Sequence, residues 1–302
     1  VQRAFRRGAL LVFDGLDELP RPRRREFFEW VEELGRDVGG DLRVVVTARP
    51  GAACRPRGDL LASARGYQPA TLLPLGAQAR VALVRRWWSA SRGGPGLDDL
   101  VAAVEGDEGL GTLVSNPLLA TLVAAGHRAG GDLPRHRAAA CVSAARALLR
   151  RDDAVALGVD VDDRLLLVQR VAWWFSSNGH RVAESGEFDE AVRDLGTGTA
   201  AALRQALVEQ SGLFRQSPEG ISFTHSLVRD ALAARQALAT ASYGLLADHA
   251  HDEGWKELVA AALELAQGES RARLVSRLRS VAERRSERRG RIEALLVGAG
   301  VG

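Results

Sequence analysis

Lys256 is the only lysine in the chain, and every other side chain of its kind is arginine. A phosphate-binding P-loop, GxxxxGK[ST], needs its lysine between a Gly and a Ser or Thr, because backbone amides and the ammonium must converge on the same phosphates. Lys256 lies between Trp255 and Glu257, so these residues contain no P-loop. Methionine is also absent, even at position 1. The two absences together lead us to expect a fragment whose native start, P-loop included, lies upstream of Val1. Cysteine is scarce. Cys54 and Cys141 have no CxxC partner and no histidine-rich neighbourhood, which argues against a disulfide framework or a zinc site and leaves small buried or surface thiols. No run approaches the roughly 20 apolar residues of a membrane span. Arg3, Arg6 and Arg7 precede an apolar run, but Asp14 ends it too early for a signal peptide. A cytoplasmic protein without membrane contact is expected.

Charge of one sign is not in large excess either. The net charge is +3 despite a pI of 9.3. The arginine bias reads as the codon composition of a GC-rich genome rather than a clustered basic face, so nucleic acid is not an expected partner. With 46% hydrophobic and 26% charged residues over 302 positions, the composition is globular and leaves room for two or three small domains.

What is present begins with Leu10 to Leu19, LLVFDGLDEL. The run Ala9 to Phe13 is too short for a helix and too uniformly apolar for a half-exposed strand, and reads as a buried strand of a parallel sheet. It ends at Asp14. In open α/β sheets ligands sit beyond the carboxyl ends of the strands, where a carboxylate can serve a phosphate-bound Mg2+. Asp17 and Glu18 follow one turn later. One acid for the metal and another to orient or activate the attacking water is the Walker B pattern of P-loop NTPases. An Asp after a strand is also a common turn or helix cap.

Pro20 and Pro22 suit a helix start, and Phe27, Trp30, Val31 and Leu34 recur at helical spacing before Gly35. After Gly39 and Gly40, Arg43 to Thr47 is a second β-branched run. Ala9 to Thr47 then makes a βαβ unit whose right-handed crossover brings both strand ends to one edge, with Thr47 and Arg49 beside Asp14. An Arg there can meet a terminal phosphate with a planar donor fork, at the place called sensor 1 in P-loop ATPases.

From about Leu75 helical periodicity takes over, through Val81 to Trp88, Leu100 to Val104 and Leu118 to Val123, with Pro134 opening a helix over Arg135 to Arg150. Further helices are expected over Asp163 to Ser177, Glu187 to Leu195 and Thr199 to Gln210. Leu213 to Gln216 and Gly220 to Thr224 flank a hairpin turn, and Ser226 to Leu238 resumes as helix. Three helices with a hairpin suggest a winged helix.

In this order the chain resembles a NACHT NTPase, of the STAND class of signalling ATPases, over about residues 8 to 240. The resemblance rests on LLVFDGLDELP (Leu10 to Pro20), VVVTARP (Val44 to Pro50), LPL (Leu73 to Leu75) and SNPLLATLVA (Ser115 to Ala124). It continues through LPRHRAAACVSAARALLRR (Leu133 to Arg151), SGLFRQ (Ser211 to Gln216) and FTHSLVRDALAAR (Phe223 to Arg235). It implies an α/β portion followed by a mostly α chain. The rear part of a P-loop NTPase parallel sheet would occupy residues 1–75, a helical lid 76–155, a winged helix 156–240, and a helical connector to a C-terminal sensor 241–302. It also implies ATP/ADP and Mg2+ as cofactors, with Asp14 on the metal, Asp17 and Glu18 supporting hydrolysis, and Thr47 and Arg49 at the phosphates. Pro117 would pack on adenine, and His225 would touch the β-phosphate of ADP and hold the molecule shut. Activated protomers would self-associate through the nucleotide-binding domain, between an upstream effector and a downstream sensor. The chain departs from the family at Ala231, where an aromatic is frequent.

Other readings stand beside these. His225 can be a structural histidine bonded to nearby backbone, and Asn116 with Pro117 can merely start a helix. His249, His251, Asp252 and Glu253 lack metal-site spacing and read as an interhelical loop. In Arg271 to Arg291, Leu274, Leu278 and Val281 form an apolar stripe, so the arginines read as the solvated face of a packed helix. A nucleotide-independent interaction scaffold is one alternative function. A DNA-binding winged-helix regulator is another, reading bases with Arg204, Gln205 and Gln210, although Ala201, Leu203, Ala206 and Leu207 on the same helix suggest burial.

Overall fold

The apolar runs Ala9–Phe13 and Leu42–Val46 form strands β1 and β2, which pair in parallel from Ala9 opposite Leu42 to Phe13 opposite Val46. Helix α1, Arg21–Val38, crosses between them. It does not stop at Gly35, because a single glycine weakens a helix without ending it. Phe13 meets Phe27 and Trp30 of α1, with ring centroids 5.0 and 5.9 Å apart. Phe28 is buried with Leu16 and packs on Tyr67. Burial on both faces, expected of so apolar a strand, is not found among the described residues: Leu10, Val12 and Val45 are 62%, 60% and 46% exposed. Among the described residues, α1 packs on one face of the pair.

These elements belong to a computed structural model that describes residues 9–16, 19, 21–38, 42–48, 67–68, 70–150, 160–193, 207–208, 211–284 and 286–301. The chain divides into two units between Leu73 and Pro74.

The second unit is mostly helical. Its elements are α2 (Ala77–Ala90), α3 (Leu97–Gly106), α4 (Glu108–Leu113), α5 (Pro117–Arg128), α6 (Arg137–Leu149), α7 (Val161–Ser177) and α8 (Ser185–Arg193). They continue with β3 (Phe214–Ser217), β4 (Gly220–Phe223), α9 (Ser226–Ala239), α10 (Tyr243–Asp248), α11 (Lys256–Leu265), α12 (Gly268–Arg284) and α13 (Ser286–Gly298). Val84, Trp88, Leu100, Val104, Leu110 and Val114 make a smaller core under α2 to α5. A larger one runs from Leu119 on α5 to Leu296 on α13, so the segments expected as lid, winged helix and connector share one continuous core.

β3 and β4 form an antiparallel hairpin, and Ala183, just ahead of α8, adds a bridge to Ile221 through two hydrogen bonds of 2.8 Å. Gly220 permits this approach: a Cβ there would lie 2.3 Å from the Ala183 carbonyl oxygen. Four rings close the junction. Phe175 packs on Phe223 at 5.5 Å and Phe188 on Phe214 at 5.4 Å, while Phe214 and Phe223 are 4.3 Å apart across the hairpin. Such edge-on and tilted pairs each add about 0.5–1.5 kcal/mol beyond burial.

Side chains begin several helices. Asp107 accepts from Leu110 N at 2.9 Å, and Asn116 Oδ1 accepts from Leu118 N and Leu119 N at 2.9 and 3.2 Å. His136 Nδ1 accepts from Ala139 N at 3.3 Å and starts α6 at Arg137, two residues after the position expected from Pro134. Arg137 then forks to Glu264 Oε1 at 3.0 Å and Glu257 Oε2 at 2.8 Å, while Glu264 Oε2 accepts from Ala138 N at 2.9 Å, which ties the start of α6 to α11.

Helix ends share a design. At the end of α9, Ser242 N donates to Ala237 O at 2.8 Å and Ala241 N to Leu238 O at 3.1 Å, with Ala241 left-handed at φ 53°. The end of α2 repeats this with Arg92 at φ 69°, whereas α5, α7 and α13 place Gly130, Gly179 and Gly300 in that position. A left-handed L-residue costs about 1–2 kcal/mol, part of which glycine's freedom in the unfolded chain takes back. Ala241→Gly and Arg92→Gly should therefore each stabilise the protein by about 0.5–1 kcal/mol. An upward shift in the urea midpoint at constant slope checks this, and a downward shift refutes the account of these two turns.

Candidate functional site

The carboxyl ends of β1 and β2 are fastened to each other. Thr47 N donates to Phe13 O at 2.9 Å, and Leu16 N donates to Thr47 O at 2.9 Å. The Thr47 hydroxyl donates to the Asp14 carboxylate and accepts from Gly15 N at 3.0 Å. Gly15 takes φ 77°, which turns the chain immediately beyond the strand. The Asp-Gly pair after an apolar run signalled this turn, but nothing in the sequence signalled the link from Thr47 to Gly15. Asp14 is exposed. Asp17, Glu18 and Arg49 lie outside the described residues.

Mg2+ is held by one or two carboxylates together with waters and phosphate oxygens, not by an all-protein cage. An exposed carboxylate at a parallel strand end, oriented by a neighbouring hydroxyl, fits that donor set. No group of three or more His, Cys, Asp or Glu is arranged to hold a metal among the described residues.

In the second unit, Pro117 is the first residue of α5, exposed and preceded by the Asn116 cap. The bond from Leu75 N to Ser115 O, 2.8 Å, joins the LPL segment to the loop before it. His225 follows β4 and precedes α9. Its site is set by Thr224, whose amide donates to Leu213 O at 2.8 Å and whose hydroxyl donates to Gly212 O at 3.1 Å.

The histidines sort by what they touch. His127 Nε2 bonds Gly96 O at 3.1 Å, His136 caps α6, and His180 stacks on Trp174 at 4.8 Å. His249 stacks on Trp255 at 4.4 Å and bonds Asp252 at 2.7 Å, while His251 meets the other Asp252 oxygen at 3.1 Å. His225 differs: its ring is exposed, gives α9 no cap, and has no hydrogen bond, ion pair or ring contact among the described residues. The backbone bond that the structural reading of this histidine expects is not found among the described residues.

The remaining candidates are described in part, and Arg204, Gln205 and Gln210 lie outside the described residues. Leu274, Leu278 and Val281 of the arginine-rich segment are buried. Arg273 pairs with Glu269, Arg289 with Glu293, and Arg271 donates to Leu263 O and Ala299 O, both at 2.7 Å. Of the helix expected over 199–210, Leu207 and Val208 are described, and both are buried. Cys141 is fully buried, and that burial pushes its thiol up to about 12.

Comparison with protein-family models and with curated proteins gives no match. No described helix is long and apolar enough to cross a membrane.

Two outcomes follow from these side chains. Removing the His136 ring should cost about 1 kcal/mol through the lost cap. Removing the His225 ring should change stability by less than about 0.5 kcal/mol. Urea unfolding of His136→Ala and His225→Ala measures both, and a larger loss in the second variant refutes the description of His225. For Cys141, the unfolded thiol ionises from near 9.0, whereas the folded one stays protonated up to about 12. Its contribution is complete below the first value and falls by about 1.4 kcal/mol per pH unit above it. Cys141→Ala should flatten the alkaline limb of the stability profile, and an unchanged limb in the variant contradicts this.

Proposed function

We propose that this chain is part of an ATP/ADP-controlled signalling switch of the NACHT type. The observation that carries the reading is Asp14 at the carboxyl end of a parallel strand, fastened to the tip of the neighbouring strand. The βαβ connection and the strand, helix and hairpin order of α7, Ala183, α8, β3 and β4 support the same reading, the latter as a winged helix.

Mg2+, when bound, neutralises and orients the phosphates. Asp14 would hold the water shell of that ion. By the resemblance, Asp17 and Glu18 would support hydrolysis, one of them orienting the attacking water, and the Arg49 fork would meet the terminal phosphate. By the resemblance, Pro117 would pack on adenine, and His225 would donate to the β-phosphate of ADP. Nucleotide shifts the balance between closed and open states only by the difference in its contacts to them. A hydrogen bond involving a charged group contributes about 1.5–3 kcal/mol, so the contact from His225 is worth roughly 10- to 150-fold in that balance. With this contact absent, ATP replaces ADP and protomers self-associate in a signalling oligomer, with hydrolysis resetting the state.

In the full-length protein, His225→Ala should weaken ADP by roughly 10-fold or more and raise the oligomer fraction. Asp17→Asn and Glu18→Gln should slow turnover and spare binding. Unchanged ADP affinity and oligomer fraction in the first variant removes the latch, and undiminished hydrolysis in the other two removes the acids. A protein that carries the P-loop and still fails to bind ATP at equilibrium is the nucleotide-independent scaffold.

A further inference from the structure

We infer that Thr47 is a positioning residue for Asp14 rather than a direct ligand of the nucleotide. The inference rests on the reading of Asp14 as the carboxylate that serves a phosphate-bound divalent cation. A threonine hydroxyl has one proton to give and two lone pairs to receive. The proton of Thr47 goes to the Asp14 carboxylate, and the Gly15 N–H, 3.0 Å away, takes a lone pair. Phosphate oxygens are acceptors and require a donor. In this arrangement the Thr47 side chain has no donor left to offer them.

Its backbone is engaged as well, through Phe13 O and Leu16 N, so every polar atom of Thr47 is bonded to β1 or to the turn that follows it. The bond to Asp14 takes one carboxylate oxygen, Oδ1, and Oδ2 has no partner among the described residues. Thr47 therefore does two things: it selects one side-chain orientation for Asp14, and it leaves the second oxygen for the water shell of the cation. The residue type suits the task. A β-branched side chain at the end of a strand is restricted at χ1, so β2 aims the hydroxyl before any ligand arrives. Gly15, at φ 77°, completes the bridge by turning its N–H onto the same oxygen. Partners that orient a metal-binding group typically change metal affinity by 10- to 100-fold when removed.

The test compares Thr47→Val, which keeps the shape and loses the hydroxyl, with Thr47→Ser, which keeps the hydroxyl. Asp14→Asn is the reference, and circular dichroism and the thermal midpoint check that each variant folds. Two readouts are taken on the whole chain: amide hydrogen exchange at Gly15 without ligand, and affinity for Mn2+ alone by water-proton relaxation. Thr47→Val should speed exchange at Gly15 and weaken Mn2+ by about 10-fold. Thr47→Ser should retain both wild-type values within about 2-fold, as expected where the hydroxyl is what matters. Mn2+ affinity that falls in Asp14→Asn but not in Thr47→Val, or Gly15 exchange that Thr47→Val leaves unchanged, overturns the positioning role while the cation reading stands. Equal Mn2+ affinity in wild type and Asp14→Asn removes the cation reading and this inference with it. Should Thr47→Val fail to fold, Thr47→Ala carries the same comparison.

Discussion

Helix α9 has to lie against α6, α7 and α11 at once, and its small residues make that possible. Ala231, Ala233, Ala234 and Ala237 are buried, with Leu232 the one large residue among them at 0% exposure. Interaxial distances follow the side chains at the contact, so alanines let three neighbours approach together. An aromatic in place of Ala231 would overpack a site that is 1% exposed. The same helix carries Asp230 into the interior, where Arg229 meets its carboxylate through Nε at 2.9 Å and Nη2 at 2.7 Å. A buried carboxylate without such a partner would carry a large desolvation cost. Because α9 is held so firmly, the residue at its start has a defined place: His225 is fixed by the packing of a helix whose interior it does not join.

The hairpin fixes it from the other side. Phe214 and Phe223 bind β3 and β4 to α7 and α8 through Phe175 and Phe188, and Thr224 then bonds back to Gly212 and Leu213 before the chain turns into α9. The core supplies rigidity, and the exposed imidazole at the junction is left with no structural duty among the described residues. His136 shows the opposite arrangement, with its ring occupied by the first turn of α6.

Apolar periodicity made most of this legible. The β-branched runs marked β1 and β2, and Asn116 before Pro117 marked the start of α5 through the preference of Asn for caps. Other features escaped because they depend on partners distant in sequence. The start of α6 is set by an imidazole acting as a cap, a residue type that rarely signals one. The open face of β1 and β2 escaped because uniform apolarity says that a strand can be buried, not that both its faces are covered. At the site, Asp14 was legible from its place after an apolar run, whereas the role of the Thr47 hydroxyl depends on a bond spanning the crossover. A spacing pattern locates a polar residue near a ligand; the count of its donors and acceptors decides what it can do there.

Five of the arginines have duties that the same counting accounts for. Arg137 spans two carboxylates on α11, and Arg271 spans carbonyls at Leu263 and Ala299, near the ends of two different helices. Arg24 donates to Leu19 O at 2.9 Å, Arg150 to Ala129 O at 2.6 Å and Arg291 to His251 O at 2.5 Å. Carbonyls left over at turns and helix ends need donors, and the negative end of a helix favours a cation. A planar fork can satisfy two of them in fixed directions, which a lysine ammonium on a flexible stem does less well. Arginines held in this way are internal fasteners rather than a phosphate-binding face. The basic pI therefore does not by itself argue for nucleic acid.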